Sequence, residues 1–218
     1  MDVVVVDGEH AQLDEGARLR LVRHAAALGL PALVRLPAVD AGAINRLLEA
    51  GAAGIQLSSL RSCAQRDALV SATRYAPGGT RSVSLAHPRA DYGALGLAAY
   101  LEREKDGPLL VGQIETAMTD DPLPALLEGL DVAFIGTTDL SVDLGRPGML
   151  DDERVRERIT EIARAATAAG VALGAWTPSV EALSAFGRPV RLAVVASDLQ
   201  LLRAGAAALV GAARRALA

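Results

Sequence analysis

The 218-residue sequence has little cysteine, no long apolar run and no leader-like start, and each shortage excludes a class of protein. Its single cysteine, Cys63, cannot form an internal disulfide or a thiolate cluster, which excludes a secreted disulfide scaffold and a Cys-ligated zinc site. No apolar run approaches the roughly 20 residues that span a bilayer, and the first residues, MDVVVVDGEH, lack a basic region. We therefore predict a cytoplasmic protein with no membrane partner.

An excess of positive charge is also absent. The chain carries 22 basic and 26 acidic side chains, which gives a formal net charge of −4. Because proteins that bind polyanions usually present a basic patch, this balance predicts no nucleic-acid partner. Since a domain typically holds about 100–200 residues, we expect residues 1–218 to form a single domain.

The sequence does contain a series of short runs rich in Val, Ile, Leu and Ala. Each run is nearly continuous in apolar character, as in a parallel strand covered on both faces, whereas a half-exposed antiparallel strand would alternate. The runs occupy residues 3–6, 32–35, 54–57, 109–114, 131–135, 171–175 and 190–195. They predict seven parallel strands.

The segments between these runs carry the start and stop signals of helices. Asp40 precedes the stretch AGAINRLLEA, and Gly51 follows it. The stretch 151–169 opens with acidic residues and stops at Gly170, and Ser197 is placed to cap a long terminal helix. Alternating strands and helices predict an α/β protein.

Two parallel architectures fit this alternation, a doubly wound sheet and a (β/α)8 barrel. A nucleotide-binding sheet usually carries a Gly-rich turn after its first strand, but the turn here, DGEHAQLD, has one glycine and three acidic residues. We therefore predict a TIM (β/α)8-type barrel. Because such barrels typically have about 250 residues, the chain is expected to lack one βα unit.

Polar side chains follow several of the predicted strands at their carboxyl ends, which meet on one face in either architecture. They are Asp7, His10, Arg35, Gln113, Glu115 and the turn from Gly136 to Asp139. Glu115 and Asp139 are 24 residues apart, close to one βα repeat, so we expect them on neighbouring strands. Two adjacent carboxylates repel unless a cation or a proton lies between them, and oxygen ligands suit Mg²⁺ or Mn²⁺.

Each of these residues also has a structural interpretation. Strand-end carboxylates often form ion pairs or cap helices, and a histidine after a strand is commonly a hydrogen-bonded loop residue. Asp7 is placed to orient His10 three residues later, although D-x-x-H also arises by chance. Arg81 and Arg89 lie in a long insertion, where anion binding and a solvated loop are equally open.

Taken together, the motifs resemble the HpcH/HpaI aldolases, the class II metal-dependent pyruvate aldolases. DGEHA, QIET and the IGxxDLSxxLG segment are specific in combination, although each alone would be weak. The matching stretches are VVVVDGEHAQLD (3–14), ALVRLP (32–37), LLEAGAAGIQL (47–57), RYAPGGTRSVS (74–84), VGQIET (111–116), DVAFIGTTDLSVDLG (131–145) and VVASDLQLL (194–202).

The resemblance implies a reaction and a set of roles. The reaction is cleavage of a 4-hydroxy-2-oxo acid to pyruvate and an aldehyde through a metal-stabilised pyruvate enolate. Glu115 and Asp139 are implied to bind the divalent metal, Mg²⁺ or Mn²⁺, with Co²⁺ or Zn²⁺ as alternatives. His10, oriented by Asp7, is implied to transfer a proton, and Arg35 to face the reacting oxygens of the substrate.

The resemblance also implies substrate contacts. Gln113 would assist the bound pyruvate or a metal-bound water, and the backbone around Gly136 and Thr138 would receive the pyruvate carboxylate. Trp176 stands where the family shapes the aldehyde pocket. The family's assembly implies a homo-oligomer, a hexamer or trimer of dimers, in which the helix within 198–218 packs on a neighbouring protomer.

Two departures from the family pattern bear on these expectations. Members of the family normally begin with a further βα unit, so we expect the first unit to be absent and the gap to be closed by a partner or by an upstream start. Thr138 replaces the small residue or proline that usually precedes the metal-binding aspartate. Alternative functions remain: oxaloacetate decarboxylation, citrate-lyase-like cleavage of an acyl-CoA ester, and a non-catalytic truncated homologue.

Overall fold

Strands and helices alternate along the chain, as the spacing of the apolar runs predicts. The computed structural model describes residues 2–177, 180–186 and 189–217. Within them, each strand lies within two residues of its predicted run. The strands are β1 (Val4–Asp7), β2 (Ala32–Leu36), β3 (Gly54–Leu57), β4 (Leu109–Ile114), β5 (Val132–Ile135), β6 (Ala172–Trp176) and β7 (Leu192–Val194).

Helices follow the strands, and the predicted caps are confirmed. The Asp40 side chain accepts a hydrogen bond from the Ala43 N–H at 2.9 Å. Gly51 ends the same helix in the left-handed conformation, with φ of 112°. The helices are α1 (Glu15–Ala27), α2 (Ala41–Ala50), α3 (Cys63–Thr73), α4 (Leu97–Arg103), α5 (Leu123–Leu126), α6 (Thr137–Asp143), α7 (Glu153–Ala168) and α8 (Asp198–Ala216), with 3-10 turns at Pro88–Gly93 and Glu181–Phe186. No helix of the described residues is long and apolar enough to cross a membrane.

The seven strands of the described residues form one parallel sheet in sequential order, β1 to β7. Neighbouring strands are joined through helical crossovers, as parallel strands require. The register places Asp7 beside Arg35 and Arg35 beside Gln56. The α/β prediction is confirmed, and among the described residues the edge strands β1 and β7 do not pair, so these strands do not close a barrel.

The two faces of the sheet are buried in different ways. On the outer face, Val34, Ile55 and Ile135 belong to the large core shared with the helices. On the inner face, Leu33 and Phe134 belong to a smaller apolar cluster. Because successive side chains of a strand point to opposite faces, positions two residues further along stay on the same face. The inner face therefore becomes polar at the carboxyl ends, where the predicted site residues lie.

Candidate active site

A cavity of about 260 Å³ opens at the carboxyl ends of the strands. Three of the predicted residues line it together, namely His10, Glu115 and Asp139. The full lining comprises Glu9, His10, Ser59, Glu115, Thr116, Asp139, Val142 and Asp143. Topology thus brings the DGEH turn, the end of β4 and the start of α6 to one place.

Glu115 is the most tightly held residue of the cavity. It follows β4 and is 4% exposed. Its Oε1 accepts hydrogen bonds from the backbone N–H of Ser59 at 2.7 Å and from the Ser59 hydroxyl at 2.8 Å. Its Oε2 accepts one from the Gln113 amide. Three donors on one buried carboxylate fix its orientation.

Gln113 is oriented by its hydrogen bonds on both sides. The Gln113 NH₂ group donates to Oε2 of Glu115, which accepts through a carboxylate oxygen. Its carbonyl oxygen then accepts from the amide of Gln56 on β3. Both glutamines are buried, at 3% and 2% exposure. Gln113 thus holds the Glu115 carboxylate in orientation and is itself held by Gln56.

Arg35 lies between two carboxylates of the first strand end. Its Nε and Nη2 donate to the two oxygens of Asp7 at 2.9 and 2.7 Å, which is a bidentate pair. Its Nη1 lies 3.2 Å from Oε2 of Glu9. The Arg35 side chain keeps 21% of its surface exposed, beside the cavity that Glu9 lines.

The structure pairs Asp7 with Arg35 and not with the His10 ring, which differs from the expected Asp7–His10 arrangement. Among the described residues, Asp7 meets His10 only through the backbone N–H, at 3.4 Å. The His10 ring is 68% exposed, and its Nε2 lies 3.7 Å from Oε2 of Glu9. The physical reason is register: parallel pairing places Arg35 beside Asp7, and a guanidinium fork fits a carboxylate.

The Asp7–Arg35 pair keeps both groups charged. Burial disfavours the charge on Asp7, but the hydrogen bonds from Arg35 and from the Glu9 N–H outweigh it, so the pKa of Asp7 lies below its ordinary value. Burial likewise opposes the charge on Arg35, yet its contact with Asp7 raises the pKa of the guanidinium. Arg35 therefore stays cationic throughout the range of any enzyme assay.

Replacing Asp7 with Asn should destabilise the protein at neutral pH and do so less in acid. A group with a lowered folded-state pKa contributes stability above its unfolded pKa of about 3.9, and this contribution is lost as the pH falls through the folded value. Urea unfolding at pH 7 and pH 3 should show a larger difference between wild type and Asp7→Asn at pH 7. The exposed pair of Asp120 and Arg61 offers a control, Asp120→Asn, with a small difference at both pH values. An equal effect of Asp7→Asn at both pH values would contradict this account.

Gly136 gives Glu115 its space. A Cβ at this position would lie against Oε2 of Glu115 and 2.8 Å from its Cβ. The Gly136 N–H donates to the Ile114 carbonyl at 3.2 Å, so it is already used in the fold. Gly136 therefore acts by leaving room for the carboxylate.

Replacing Gly136 with Ala should move Glu115 out of its hydrogen-bonded position. Because Glu115 is one of the two predicted metal ligands, we expect this change to lower Mn²⁺ affinity by about 10-fold or more, the cost of disturbing the groups that orient a ligand. Isothermal titration with Mn²⁺ measures this, and Gly96→Ala is the matched control, because a Cβ there meets no atom within 4 Å. Equal affinity in the two variants would refute the steric argument.

The two remaining predicted residues are Thr138 and Trp176. Thr138 is exposed in the first turn of α6, directly before Asp139. Trp176 ends β6, packs against the inner apolar cluster and accepts a hydrogen bond from the Thr137 hydroxyl through its carbonyl at 3.2 Å. Among the described residues, neither is part of the cavity lining.

Sequence reasoning missed four residues that hold the site together, namely Glu9, Gln56, Ser58 and Ser59. The signal was present for two of them, because Ser58 and Ser59 directly follow the carboxyl end of β3. Glu9 lies within the DGEH turn, between two residues that were singled out. Ser58 donates to Glu9 at 2.7 Å, so the ends of β1 and β3 are tied together.

The donor set fits a divalent cation that a chelating ligand helps to bind. Glu115 presents a buried, oriented carboxylate, and Asp139 adds an exposed one to the same cavity. These are hard oxygen ligands of the kind that Mg²⁺ and Mn²⁺ prefer. Among the described residues, no group of three or more His, Cys, Asp or Glu side chains could hold a metal ion alone. The remaining positions would fall to water and substrate.

Comparison with known proteins assigns these features to one group. The family model for HpcH/HpaI aldolase/citrate lyase matches residues 1–204. A hydroxypyruvate/pyruvate aldolase of Agrobacterium fabrum is 34% identical over 178 residues, which cover 81% of this chain and 66% of that protein. A 4-hydroxy-2-oxovalerate aldolase of Rhodococcus jostii is 34% identical over 180 residues, 81% of this chain and 69% of that protein. The chain thus spans about two thirds of these relatives.

Solved structures agree with the fold. The HpcH/HpaI aldolase of Desulfitobacterium hafniense superposes with a TM-score of 0.90 at 28% identity, over 98% of this chain and 84% of that one. The citrate synthase SbnG superposes with a TM-score of 0.84 at 24% identity, over 100% and 86% of the two chains. At that identity the second likeness concerns the fold alone.

Proposed function

The chain belongs to the HpcH/HpaI aldolase/citrate lyase family, and from this premise we propose that it is a divalent-metal-dependent aldolase. Its substrate is a 4-hydroxy-2-oxo acid, which it cleaves to pyruvate and an aldehyde. One observation carries the proposal: Glu115 and Asp139 line one cavity with His10, beside the cationic Arg35. The relatives named as aldolases support the same reaction type.

Glu115 and Asp139 are the residues that would hold the cation. A divalent ion bound to a 2-oxo acid supplies Lewis acidity, which withdraws electrons from the carbonyl and eases C3–C4 cleavage. Mg²⁺ or Mn²⁺ suits these two carboxylates, with Co²⁺ or Zn²⁺ as alternatives. Gln113 holds Glu115 in orientation, and its own amide is held by Gln56.

Arg35 supplies fixed positive charge beside the reacting oxygens. When the C3–C4 bond breaks, oxyanion character develops on the pyruvate fragment, and a preorganised guanidinium stabilises it without reorganising. Asp7 and Glu9 hold the guanidinium in place from two sides. The family resemblance implies that the backbone at Thr138 receives the substrate carboxylate and that Trp176 shapes the aldehyde pocket.

His10 is the candidate for proton transfer in this proposal. Cleavage requires removal of the proton from the C4 hydroxyl, and an exposed imidazole on the cavity wall can accept it at Nε2. The resulting imidazolium would face the Glu9 carboxylate, whose Oε2 lies 3.7 Å from Nε2. Glu9 thereby takes the supporting position that the D-x-x-H spacing assigned to Asp7.

The reaction type is tested by comparing three substrates at equal concentration with Mg²⁺ or Mn²⁺ and enzyme-free controls. We expect a 4-hydroxy-2-oxo acid to release pyruvate fastest. Faster consumption of oxaloacetate would make the protein a decarboxylase, and cleavage of an acyl-CoA ester would make it a citrate-lyase-like enzyme. No turnover of any of them would leave a non-catalytic homologue and overturn the proposal.

We also propose that the protein assembles as a homo-oligomer through α8. Every described residue of this helix except Gly211 is exposed, and Leu199, Leu202 and Leu209 are each at least 70% exposed. An apolar helix with no covered face favours burial against a second copy of the chain. A hexamer or trimer of dimers is the assembly that the family resemblance implies.

Replacing Leu202 and Leu209 together with Glu should dissociate this assembly. Burying two unpaired carboxylates costs more free energy than the remaining contacts of the interface supply. Light scattering after size exclusion should show a smaller particle than wild type. Leu28→Glu is the matched control, since Leu28 is 70% exposed at the end of α1. A wild-type monomer, or an unchanged mass in the double variant, would contradict the proposal.

A further inference from the structure

Two consecutive serines follow β3, and each donates to a carboxylate from a different neighbouring strand. The Ser58 hydroxyl donates to Oε1 of Glu9 at 2.7 Å, next to β1. The Ser59 hydroxyl and backbone N–H both donate to Oε1 of Glu115, at 2.8 and 2.7 Å. The β3 end thus contacts the acidic residues on both sides of it.

Ser59 reaches Glu115 in an unusual backbone conformation. Its φ is 49°, in the left-handed region that non-glycine residues seldom adopt. In this conformation the hydroxyl and the N–H of one residue meet the same oxygen. Non-glycine residues stay in the left-handed region where the surrounding structure determines their conformation, and such residues cluster at functional sites.

Hydrogen bonds occupy most of the acceptor sites of the Glu115 carboxylate. A carboxylate has about four lone-pair sites, and Ser59 and Gln113 use three of them. Both oxygens are held, so the carboxylate cannot rotate without breaking hydrogen bonds. A ligand that approaches from the cavity therefore meets a preorganised group with one acceptor site remaining.

We propose that Ser59 is a positioning residue that orients Glu115 for a divalent cation. The inference rests on the proposed function, in which Glu115 is a metal ligand, and adds a residue that this function did not name. The hydroxyl of Ser59 supplies affinity by holding Oε1, and its left-handed backbone adds the N–H as a second donor. Groups that orient metal ligands in this way change metal affinity by roughly 10–100-fold.

The test is the affinity of the wild-type protein and its variants for Mn²⁺, measured by titration calorimetry without substrate. Ser59→Ala should bind Mn²⁺ about 10-fold more weakly than wild type. Ser59→Gly removes the same hydroxyl but accepts a positive φ freely, so it separates loss of the hydrogen bond from backbone strain. Ser71→Ala removes a hydroxyl that pairs with Thr80 outside the site, and its Mn²⁺ affinity should stay within about twofold of wild type.

A second readout distinguishes positioning from a general structural defect. This readout is the exchange of the methyl hydrogens of pyruvate with D₂O, which requires the enolate. Ser59→Ala should need a higher Mn²⁺ concentration for this exchange, yet reach the wild-type rate once Mn²⁺ is saturating. Ser71→Ala, which removes a hydroxyl pair with Thr80 outside the site, should match wild type in both measurements.

The possible outcomes separate the two proposals. Wild-type affinity in both Ser59→Ala and Ser59→Gly overturns the positioning role while leaving the aldolase proposal intact. A reduced exchange rate that saturating Mn²⁺ does not restore also overturns it. A wild-type protein that binds no Mn²⁺ and exchanges no pyruvate hydrogen overturns both.

Discussion

Replacing Glu115 with Gln should lower metal-dependent hydrogen exchange of pyruvate by about 10³-fold, because a Lewis acid contributes several kcal/mol of charge stabilisation. The amide has the size of the carboxylate but lacks its charge. The amide also replaces one accepting oxygen with an NH₂ group. This NH₂ group would face the Ser59 N–H or the Gln113 NH₂, so that two hydrogen-bond donors would oppose each other. The variant thus loses both the ligand and its orientation.

The control for this substitution is Glu102→Gln, the same change at a side chain that is 72% exposed and paired with Lys105. It should leave the exchange rate within about twofold of wild type, as expected for a surface ion pair. Circular dichroism and thermal unfolding check whether Glu115→Gln keeps the fold. A folded Glu115→Gln protein with wild-type exchange would remove Glu115 from the mechanism.

Replacing Arg35 with Lys should lower the exchange rate at saturating metal by roughly 10²-fold, the cost of losing one preorganised oxyanion donor. Arg35 binds Asp7 with two nitrogens and approaches Glu9 with a third. A lysine ammonium is a single point charge and cannot reproduce this geometry. Because charge is kept, the variant separates the position of the cation from its presence.

Arg46→Lys is the matched control for this substitution. Arg46 pairs with Glu15 on the surface, where its side chain is 51% exposed. Exchange rates of that variant should stay near wild type. If Arg35→Lys lowers Mn²⁺ affinity and leaves the rate at saturating metal unchanged, Arg35 acts on the cation and not on the reacting oxygens.

The order and position of the strands could be predicted because each is a short apolar run with a readable end. Asp40 and Gly51 bound α2 in the structure as they do in the sequence. The convergence of His10, Glu115 and Asp139 on one cavity follows from the same reasoning, since the carboxyl ends of parallel strands share a face.

The pairing of Asp7 shows where such reasoning fails. Sequence proximity favours His10, three residues away, whereas Arg35 is 28 residues away and directly beside Asp7 in the sheet. Strand register decides the contact, and a guanidinium that is flanked by two carboxylates competes better for Asp7 than an exposed imidazole. Register between neighbouring strands was the missing information.

Ser59 shows a second limit. Its position after β3 could be predicted from the sequence. Its two hydrogen bonds to Glu115 depend on a positive φ, which a serine in the sequence does not indicate. Gln56 was hidden for a different reason, because it lies in an otherwise apolar run and reaches Glu115 only through Gln113. Contacts that pass through a second side chain leave no spacing pattern in the sequence.

The exchange of pyruvate methyl hydrogens in D₂O tests the central claim most directly, because it requires the enolate and no knowledge of the aldehyde. The protein is incubated with pyruvate and Mg²⁺ or Mn²⁺, and the methyl proton signal is followed by NMR beside a metal-free control. The account predicts loss of the signal that depends on both protein and metal and disappears in Glu115→Gln. A wild-type protein that exchanges no hydrogen with Mg²⁺, Mn²⁺, Co²⁺ or Zn²⁺ would contradict it.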